Sequence, residues 1–302
     1  MGIIDLLKGF VIGILVLILM AALPSYIVMN AIQSNLLDQK YYETQFEKTG
    51  MYIKIQNGLL NMISSQIPAS QLAAYGITET DLKNAMSKSI TKEWVKGEVD
   101  RNIRNLMWYL NDETKGVNLS ISLKPKIAEG IANLIVDKIG LSQSAATSLA
   151  NELDIVKSIP DPIDVEQFAP GTKQALSDLK SNVLMFKSMV SQLFIGILAI
   201  VVIIFILTLN LKDFAKTLGW PLLITGILIS AGSFLLPNLV KDAVSGTGVT
   251  SSQQLITMTN IIDFLSPIFG SILTQGLMIV GAGIILIAFS FIYPMIENKE
   301  KK

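Results

Sequence analysis

The chain has 302 residues, of which 51% are hydrophobic and only 16% are charged. Because soluble domains carry roughly 25% charged residues, this composition predicts a membrane protein. The 24 basic residues balance the 24 acidic residues, so the charge gives no support for a nucleic-acid partner.

The sequence contains neither Cys nor His. This excludes disulfides, thiol nucleophiles, zinc sites of the usual type and His-based general base catalysis. It also contains no Walker loop, dinucleotide fingerprint or G-x-S-x-G elbow. We therefore expect no catalytic residue, no cofactor and no metal, and the chain is predicted not to be an enzyme.

Residues 1–30 are predicted to form an N-terminal tail and a first transmembrane helix. Residues 9–37 carry no charge, and about 20 apolar residues suffice to span the hydrocarbon. A cleaved signal peptide is the alternative, because Ala21 and Ala22 offer small residues near a cleavage site. The apolar stretch continues past this point and Pro24 follows two residues after Ala22, which favours an uncleaved signal-anchor. Pro24 also predicts a kink in this span.

Residues 31–187 are predicted to form a helical domain, since they carry most of the charged residues. The clearest helix covers residues 91–113, with Thr91 as its N-cap. A shorter helix has Thr78 or Thr80 as its cap, and Ser142 caps another. Pro125 begins a helix that Gly140 ends.

Irregular structure is predicted at three places in this domain. A turn is expected at Pro68–Ser70, and residues 117–123 alternate apolar and polar side chains, which is a weak strand signal. Residues 158–171 contain three prolines and are predicted to be a loop. In this loop, Asp161 and Asp164 fall short of the ligand number that calcium needs, so a structural turn role is expected.

A long helix is predicted from Gly171 to Leu211, beginning in the helical domain and ending across a bilayer. Its apolar residues recur in steps of three and four, which is typical of a buried seam: Leu176, Leu179, Val183, Phe186, Val190, Leu193, Ile197, Ile200, Ile204 and Leu207. The other faces carry charges, Lys180 among them, up to Lys187 and none from there to Lys212, which indicates water and then lipid. The first span, extended to about Phe46, is the expected partner of this seam.

Residues 188–302 are predicted to hold three transmembrane helices, at about 188–211, 217–240 and 266–294, with a polar outer loop at 241–263. Pro221, Pro237, Pro267 and Pro294 are placed at the helix ends. An interfacial amphipathic helix or a plain tether is expected at residues 255–265. Small residues predict close packing between spans or between protomers: Gly226, Ser230, Ser233, Gly270, Gly276, Gly281 and Gly283.

Both termini are predicted to be cytoplasmic in a multi-pass protein of the cell membrane. With four spans, the basic residues of the short segments fall on one side, which is the cytoplasmic one by the positive-inside rule. The helical domain is then extracytoplasmic. The expected surroundings are a lipid bilayer, and a second copy or another membrane protein.

Candidate functional residues follow from residue type and from the predicted segment in which each residue lies. Asn118 begins the N-x-S glycosylation sequon of the chain. Lys212 and Lys216 lie in the predicted loop 210–219, where a cytoplasmic partner would make contact. A partner or packing surface is predicted at Trp94, Trp108, Tyr109, Leu176, Leu179, Val183 and Phe186. For the aromatic residues, core packing on a helix is the expected role, with a ligand surface as the alternative.

Four segments together resemble a widespread set of uncharacterised prokaryotic membrane proteins: ITKEWVKGEVDRNIRNLMWYLND, VNLSISLKPK, IPDPIDV and LGWPLLITGIL. The resemblance implies one N-terminal span, a helical extracytoplasmic domain and a C-terminal membrane cluster. It carries no activity or functional residue over to this chain. The topology alone is also similar to the membrane subunits of cell-division and macrolide-exporter ABC systems.

The sequence therefore predicts a mainly α-helical, four-span membrane protein with a large helical extracytoplasmic domain between spans 1 and 2. Its expected function is non-enzymatic: the outer domain binds, senses or scaffolds a partner. A mechanotransmission or transport subunit that works with a cytoplasmic ATPase is the alternative. A lipid-acting enzyme is a distant third hypothesis.

Overall fold

The fold is described from a computed structural model, which places residues 3–66, 76–164, 166, 170–245 and 258–300. The predicted turn at Pro68–Ser70 and residues 246–257 of the predicted outer loop lie outside these residues. The ends of that loop prediction are wrong, because residues 241–245 belong to the helix that ends at Ser245 and residues 258–263 belong to the helix that begins at Met258. Of the predicted amphipathic segment 255–265, residues 258–265 are helical, and its interfacial position stays a prediction. In the described residues, the helices are α1 Ile3–Leu36, α2 Gln39–Lys48, α3 Met51–Gln66, α4 Glu79–Ser89, α5 Lys92–Leu110, α6 Lys124–Ile139, α7 Gln143–Glu152, α8 Asp154–Lys157, α9 Thr172–Thr208, α10 Leu211–Ser245 and α11 Met258–Glu300.

The chain divides into two compact units. The span unit consists of Met1–Leu37 and Met185–Lys302, and the helical domain consists of Asp38–Leu184. Helix α9 contributes residues to both units. The prediction also placed residues 31–187 outside the cytoplasm, and this location stays a prediction.

In the part of the chain that the structure describes, four helices are long and apolar enough to cross a membrane. They are Leu6–Leu36, Thr172–Thr208, Leu211–Asp242 and Ile262–Pro294. The predicted predominance of helix is thereby confirmed, and so is the presence of four helices that are long and apolar enough to span a membrane.

The prolines of the last two spans lie inside their helices, so their predicted position at the helix ends is wrong. Pro221 and Pro237 lie within α10, and Pro267 and Pro294 lie within α11. A proline removes one N–H donor from the helix. In a membrane helix, neighbouring helices can satisfy the backbone groups that this leaves free, so the helix can continue past the proline. Pro24 also lies inside α1, which continues to Leu36.

The predicted loop 210–219 is also wrong, because only Leu209 and Asn210 separate α9 from α10. The side chain of Asn210 accepts a hydrogen bond from the Lys212 amide at 2.9 Å and so caps α10. Phe214 packs edge-on against Phe205, with 5.1 Å between the ring centroids. These contacts turn the expected loop into the first turns of a helix.

The helical domain is built around a core from α3 to α8, in which Met86, Ile90, Val95, Ile131 and Val156 are buried. The predicted caps are confirmed at Thr91, Ser142 and Gly140, the last in the left-handed conformation. Thr78, not Thr80, caps α4, in a capping box with Asp81. Hydrogen bonds from Thr78, followed by Lys138, lower the pKa of Asp81 to about 2.

A short antiparallel sheet pairs β1 (Ser120–Ile121) with β2 (Ile163–Asp164). The strand predicted at 117–123 is thus only two residues long, and the predicted loop 158–171 contains its partner. Asn102 of α5 explains this placement, because its side chain accepts from the Ser120 amide at 2.9 Å and donates to the Ser120 carbonyl at 3.0 Å.

Helices α10 and α11 approach backbone to backbone at glycines seven residues apart. A Cβ on Gly226 would lie 2.7 Å from the Val280 amide nitrogen, and one on Gly283 would lie 2.6 Å from the Leu223 nitrogen. A Cβ on Gly219 would lie 3.1 Å from the Ile287 amide nitrogen, and one on Gly276 would lie 3.1 Å from the Ser230 amide nitrogen. Small residues are required where helices approach this closely in a membrane.

The predicted close packing therefore occurs between two spans of one chain for Gly226, Gly276 and Gly283. Gly270 and Gly281 make no such approach within the chain, because a Cβ there would meet nothing within 4 Å. For these two glycines, packing between protomers stays a prediction. Gly219 was not among the small residues that the sequence predicted to pack closely. A seven-residue repeat, Gly219, Gly226 and Ser233 on α10 and Gly276, Gly283 and Ser290 on α11, is the signal that identifies it.

Alanine at Gly226 or Gly283 should destabilise the span unit by about 1–3 kcal/mol, the usual cost of overpacking. Gly232→Ala and Gly281→Ala are matched controls on the same helices, since their new methyl groups meet open space. The controls should be neutral or slightly stabilising because Ala favours helix over Gly. Equilibrium unfolding in detergent measures this difference, and equal losses in all four variants would contradict the packing.

Candidate functional site

The first turns of α9 pack against the end of α5 inside the helical domain. Leu176 and Val183 of α9 contact a cluster formed by Met107, Tyr109 and Leu110. In the span unit, residues further along α9, Ile197 and Ile204, pack with Leu19 of α1.

The apolar stripe of α9 therefore has two successive partners. The first span, predicted as the partner, is confirmed for Ile197 and Ile204. Its predicted extension to about Phe46 is a separate helix, α2, whose Tyr42 packs on the cluster that Leu176 and Val183 contact. The prediction missed α5, which supplies the centre of that cluster.

Lys180 of α9 lies in this contact, and its predicted place on a water-facing surface is wrong. Its side chain is only 15% exposed, and its Nζ lies 2.6 Å from Asp112 Oδ1. The same ammonium donates to the Thr114 carbonyl at 3.2 Å and lies 4.6 Å from the centre of the Tyr109 ring. A cation at this position also suits the C-terminal end of α5.

The beginning of α9 is fixed by acidic residues of the preceding loop. Glu166 accepts hydrogen bonds from the Gly171 and Lys173 amides, each at 2.8 Å. Asp164 accepts from Lys173 Nζ at 3.2 Å, and bonds from the Glu166 amide and from Lys173 lower the pKa of Asp164. Asp161 accepts from the Ser122 hydroxyl at 2.7 Å.

These loop carboxylates thus make contacts within the domain. Within the described residues, no group of three or more acidic side chains is arranged to hold a metal ion.

Charged residues of α5 also form ion pairs and hydrogen bonds with other residues of the helical domain. Lys92 lies 2.5 Å from Glu47 of α2, and Lys96 lies 3.3 Å from Asp100. The hydroxyl of the buried Tyr52 donates to Asp100, and burial, followed by this bond, raises the pKa of Tyr52. These contacts hold α2 and α3 against α5.

The three aromatic residues predicted as a partner or packing surface have different environments. Tyr109 is 8% exposed, and Trp94 is half-buried against the main core. Trp108 is 44% exposed, so core packing is the wrong expectation for it. Adjacent residues of a helix point about 100° apart, which explains why Tyr109 is buried where Trp108 is exposed.

Trp108 is accompanied by a cation on the exposed face of α5. The guanidinium carbon of Arg104, one helical turn earlier, lies 5.9 Å from the Trp108 ring centre. Arg104 is itself exposed. An exposed Trp next to an Arg brings together the two residue types most enriched at the energetic centre of protein interfaces.

The remaining predicted residues are spread over the chain. Leu179 is 43% exposed and Phe186 is half-buried, so the stripe is not buried along its whole length. Asn118 is exposed just before β1. Lys212 and Lys216 are exposed on the first turns of α10.

An open groove between α6 and α7 was not predicted. It has a volume of about 440 Å³, within the range usual for ligand sites, and is lined by Lys124, Pro125, Ala128, Glu129, Gln143, Thr147, Asn151 and Asp161. Gln143, Thr147 and Asn151 recur every four residues on one face of α7. This polar spacing is the sequence signal that could have identified the groove.

Comparisons with known proteins give no relative from which to transfer a function. No protein-family model matches the chain, no curated protein matches it, and no solved structure matches its fold. The geometry above is therefore the basis for assigning a role.

A charge at Val183 should loosen the helical domain, because Val183→Asp places a carboxylate against Met107 and Leu110. The loss should be about 2–4 kcal/mol, in the range of buried large-to-small or unpaired-charge changes. Asn182→Asp adds the same charge at an exposed neighbour and is the control. Hydrogen exchange of residues 38–184 measures the effect, and equal protection in the two variants would show that α9 is not packed there.

Proposed function

We propose that this chain is a non-enzymatic, multi-pass protein of the cell membrane whose helical domain binds a partner outside the cytoplasm. The four apolar helices anchor the chain in the bilayer, and both termini are cytoplasmic. The helical domain senses or scaffolds its partner, while the span unit associates with a second copy or another membrane protein.

The exposed pair of Trp108 and Arg104 carries this proposal. Helix α5 holds the pair rigidly, because Val95, Met107 and Leu110 anchor its other side in apolar clusters. Neither Trp108 nor Arg104 is part of those apolar clusters. Packing in the clusters therefore does not explain why a Trp and an Arg lie at these positions. A large aromatic side chain on a rigid helix loses little conformational entropy on binding, which is why such residues dominate interface energies.

The orientation is supported by the distribution of basic residues. Lys8 lies at the beginning of α1, and Lys212 and Lys216 lie at the beginning of α10. Four crossings would place all three on the same side, and the positive-inside rule makes that side cytoplasmic. Asp38–Leu184 then falls on the opposite side.

The span helices support contact with lipid and with other spans. Large apolar side chains on all four helices are exposed, among them Phe10, Phe194, Leu228 and Phe291. Exposed apolar area of this extent on long helices fits a bilayer environment. The same surface is available for self-association.

A second function, mechanical coupling to a cytoplasmic ATPase, is favoured by one observation. Helix α9 runs without interruption over 37 residues, from Thr172 to Thr208. A continuous helix of this length can carry a displacement along its axis. Lys212 and Lys216, which follow it after a two-residue break, would then contact the ATPase.

A photo-crosslinking residue at position 104, with Trp108 intact, should capture a discrete protein partner in intact membranes. Trp108→Ala should reduce that adduct by about tenfold or more, the effect of losing an interface residue worth over 1.4 kcal/mol. The same crosslinker at Lys115, an exposed residue beyond α5, is the control and should give no such adduct.

An adduct that persists unchanged in Trp108→Ala, or one formed equally from position 115, would contradict the proposal. Copurification of an ATPase that is lost on changing Lys212 and Lys216 to Ala would favour the second function instead.

A further inference from the structure

We infer that the groove between α6 and α7 binds an extended polypeptide segment of a partner protein. The inference rests on the proposed role of the helical domain in binding a partner. It adds a second surface, separate in sequence from Trp108, and names the conformation of the segment that the surface accepts.

The wall of the groove formed by α7 carries three regularly spaced polar side chains, Gln143, Thr147 and Asn151, which we call the rungs. The rungs lie four residues apart. Four residues of an α-helix rise about 6 Å. Two residues of an extended chain rise about 6.2–6.8 Å. Three successive rungs can therefore meet every second residue of an extended peptide.

Each rung retains an acceptor for a peptide N–H. The Thr147 hydroxyl donates to the Gln143 carbonyl at 2.8 Å, and the Asn151 amide donates to the Thr147 carbonyl at 3.0 Å. The Gln143 amide donates to Asn133 at 3.1 Å. These bonds use donors and fix the side chains, and among the described residues none of them uses the amide oxygens of Gln143 or Asn151.

The opposite wall and the end of the groove supply complementary groups without a strong net charge. Lys124 provides an ammonium donor at the beginning of α6, and Pro125 and Ala128 provide an apolar floor. Glu129 is paired with Lys126 at 2.7 Å, and Asp161 accepts from Ser122. The positive charges of Lys124 and Lys126 balance the negative charges of Glu129 and Asp161, so the groove has no net charge that would select a cationic ligand.

This chemistry favours polypeptide over the other polar ligands of similar width. A glycan site is usually built on an aromatic ring that stacks against the sugar, and no aromatic side chain lines the groove. A nucleic acid needs several unpaired cations to neutralise phosphates. Amide and hydroxyl side chains at a peptide-like repeat fit the alternating N–H and C=O groups of a main chain.

The test uses the full chain in lipid nanodiscs and an array of random-sequence dodecapeptides. Selected peptides should bind the wild type, and Thr147→Trp, which fills the groove, should weaken binding at least tenfold. Ser148→Trp is the matched control, because Ser148 is an exposed neighbour on α7 that does not line the groove. The control should bind as the wild type does.

N-methylation of one residue at a time in a selected peptide then tests the rungs. Methyl groups should weaken binding about tenfold at alternate residues, with a period of two, because alternate N–H groups meet the α7 rungs. Gln143→Ala and Asn151→Ala should each remove the effect at one position. Both side chains are exposed, so these variants should remain folded, which a circular-dichroism melt checks.

Equal peptide binding by Thr147→Trp and Ser148→Trp would overturn the inference, and so would an N-methyl scan without a two-residue period. Binding to a glycan array that is lost in Thr147→Trp, in place of peptide binding, would also overturn it. These outcomes are independent of the adduct at position 104, so the inference can fail while the proposed function stands.

Discussion

The continuous backbone hydrogen bonding of α9 is the constraint on which the rest of the structure depends. Hydrocarbon offers no water to a free N–H or C=O group, so a segment without charge from Ser188 to Thr208 has to be helical throughout. The same helix begins at Thr172 among residues that need water. One apolar stripe serves both parts, with Leu176 and Val183 packed in the helical domain and Ile197 and Ile204 packed in the span unit.

Polar side chains fix the water-compatible end of that helix. Glu166 caps its first amides, and Lys180 ties it to Asp112 and Thr114 just beyond α5. Exposed ion pairs stabilise little, whereas a largely buried, multiply bonded lysine is costly to lose. Glu166 and Lys180 thus have structural roles, because they hold the first turns of α9 in the helical domain. Trp108 is exposed, and the hydrogen bonds described for Gln143, Thr147 and Asn151 of α7 use only their donor groups, so we assign both surfaces to partners.

The sequence predicted features governed by local rules and missed those governed by contacts distant in the chain. The caps at Thr91, Ser142 and Gly140 follow from neighbouring residues, and the four spans follow from run length. Lys180 was misplaced because its partner, Asp112, is far away in sequence. The prediction of a loop at 210–219 was wrong because Phe214 packs against Phe205 of the preceding helix. Gly219 was missed because its close approach to α11 depends on a helix that is distant in sequence. The groove is formed between α6 and α7, so the sequence of either helix alone does not predict it.

We propose that the helical domain and the beginning of α10 lie on opposite sides of the membrane. Because the chain has no Cys, a single Cys at Lys115 or at Lys216 can be labelled without background, and both positions are exposed. A membrane-impermeant maleimide should label residue 115 in intact cells and residue 216 only after permeabilisation. Labelling of residue 216 in intact cells, with residue 115 protected, would contradict the account.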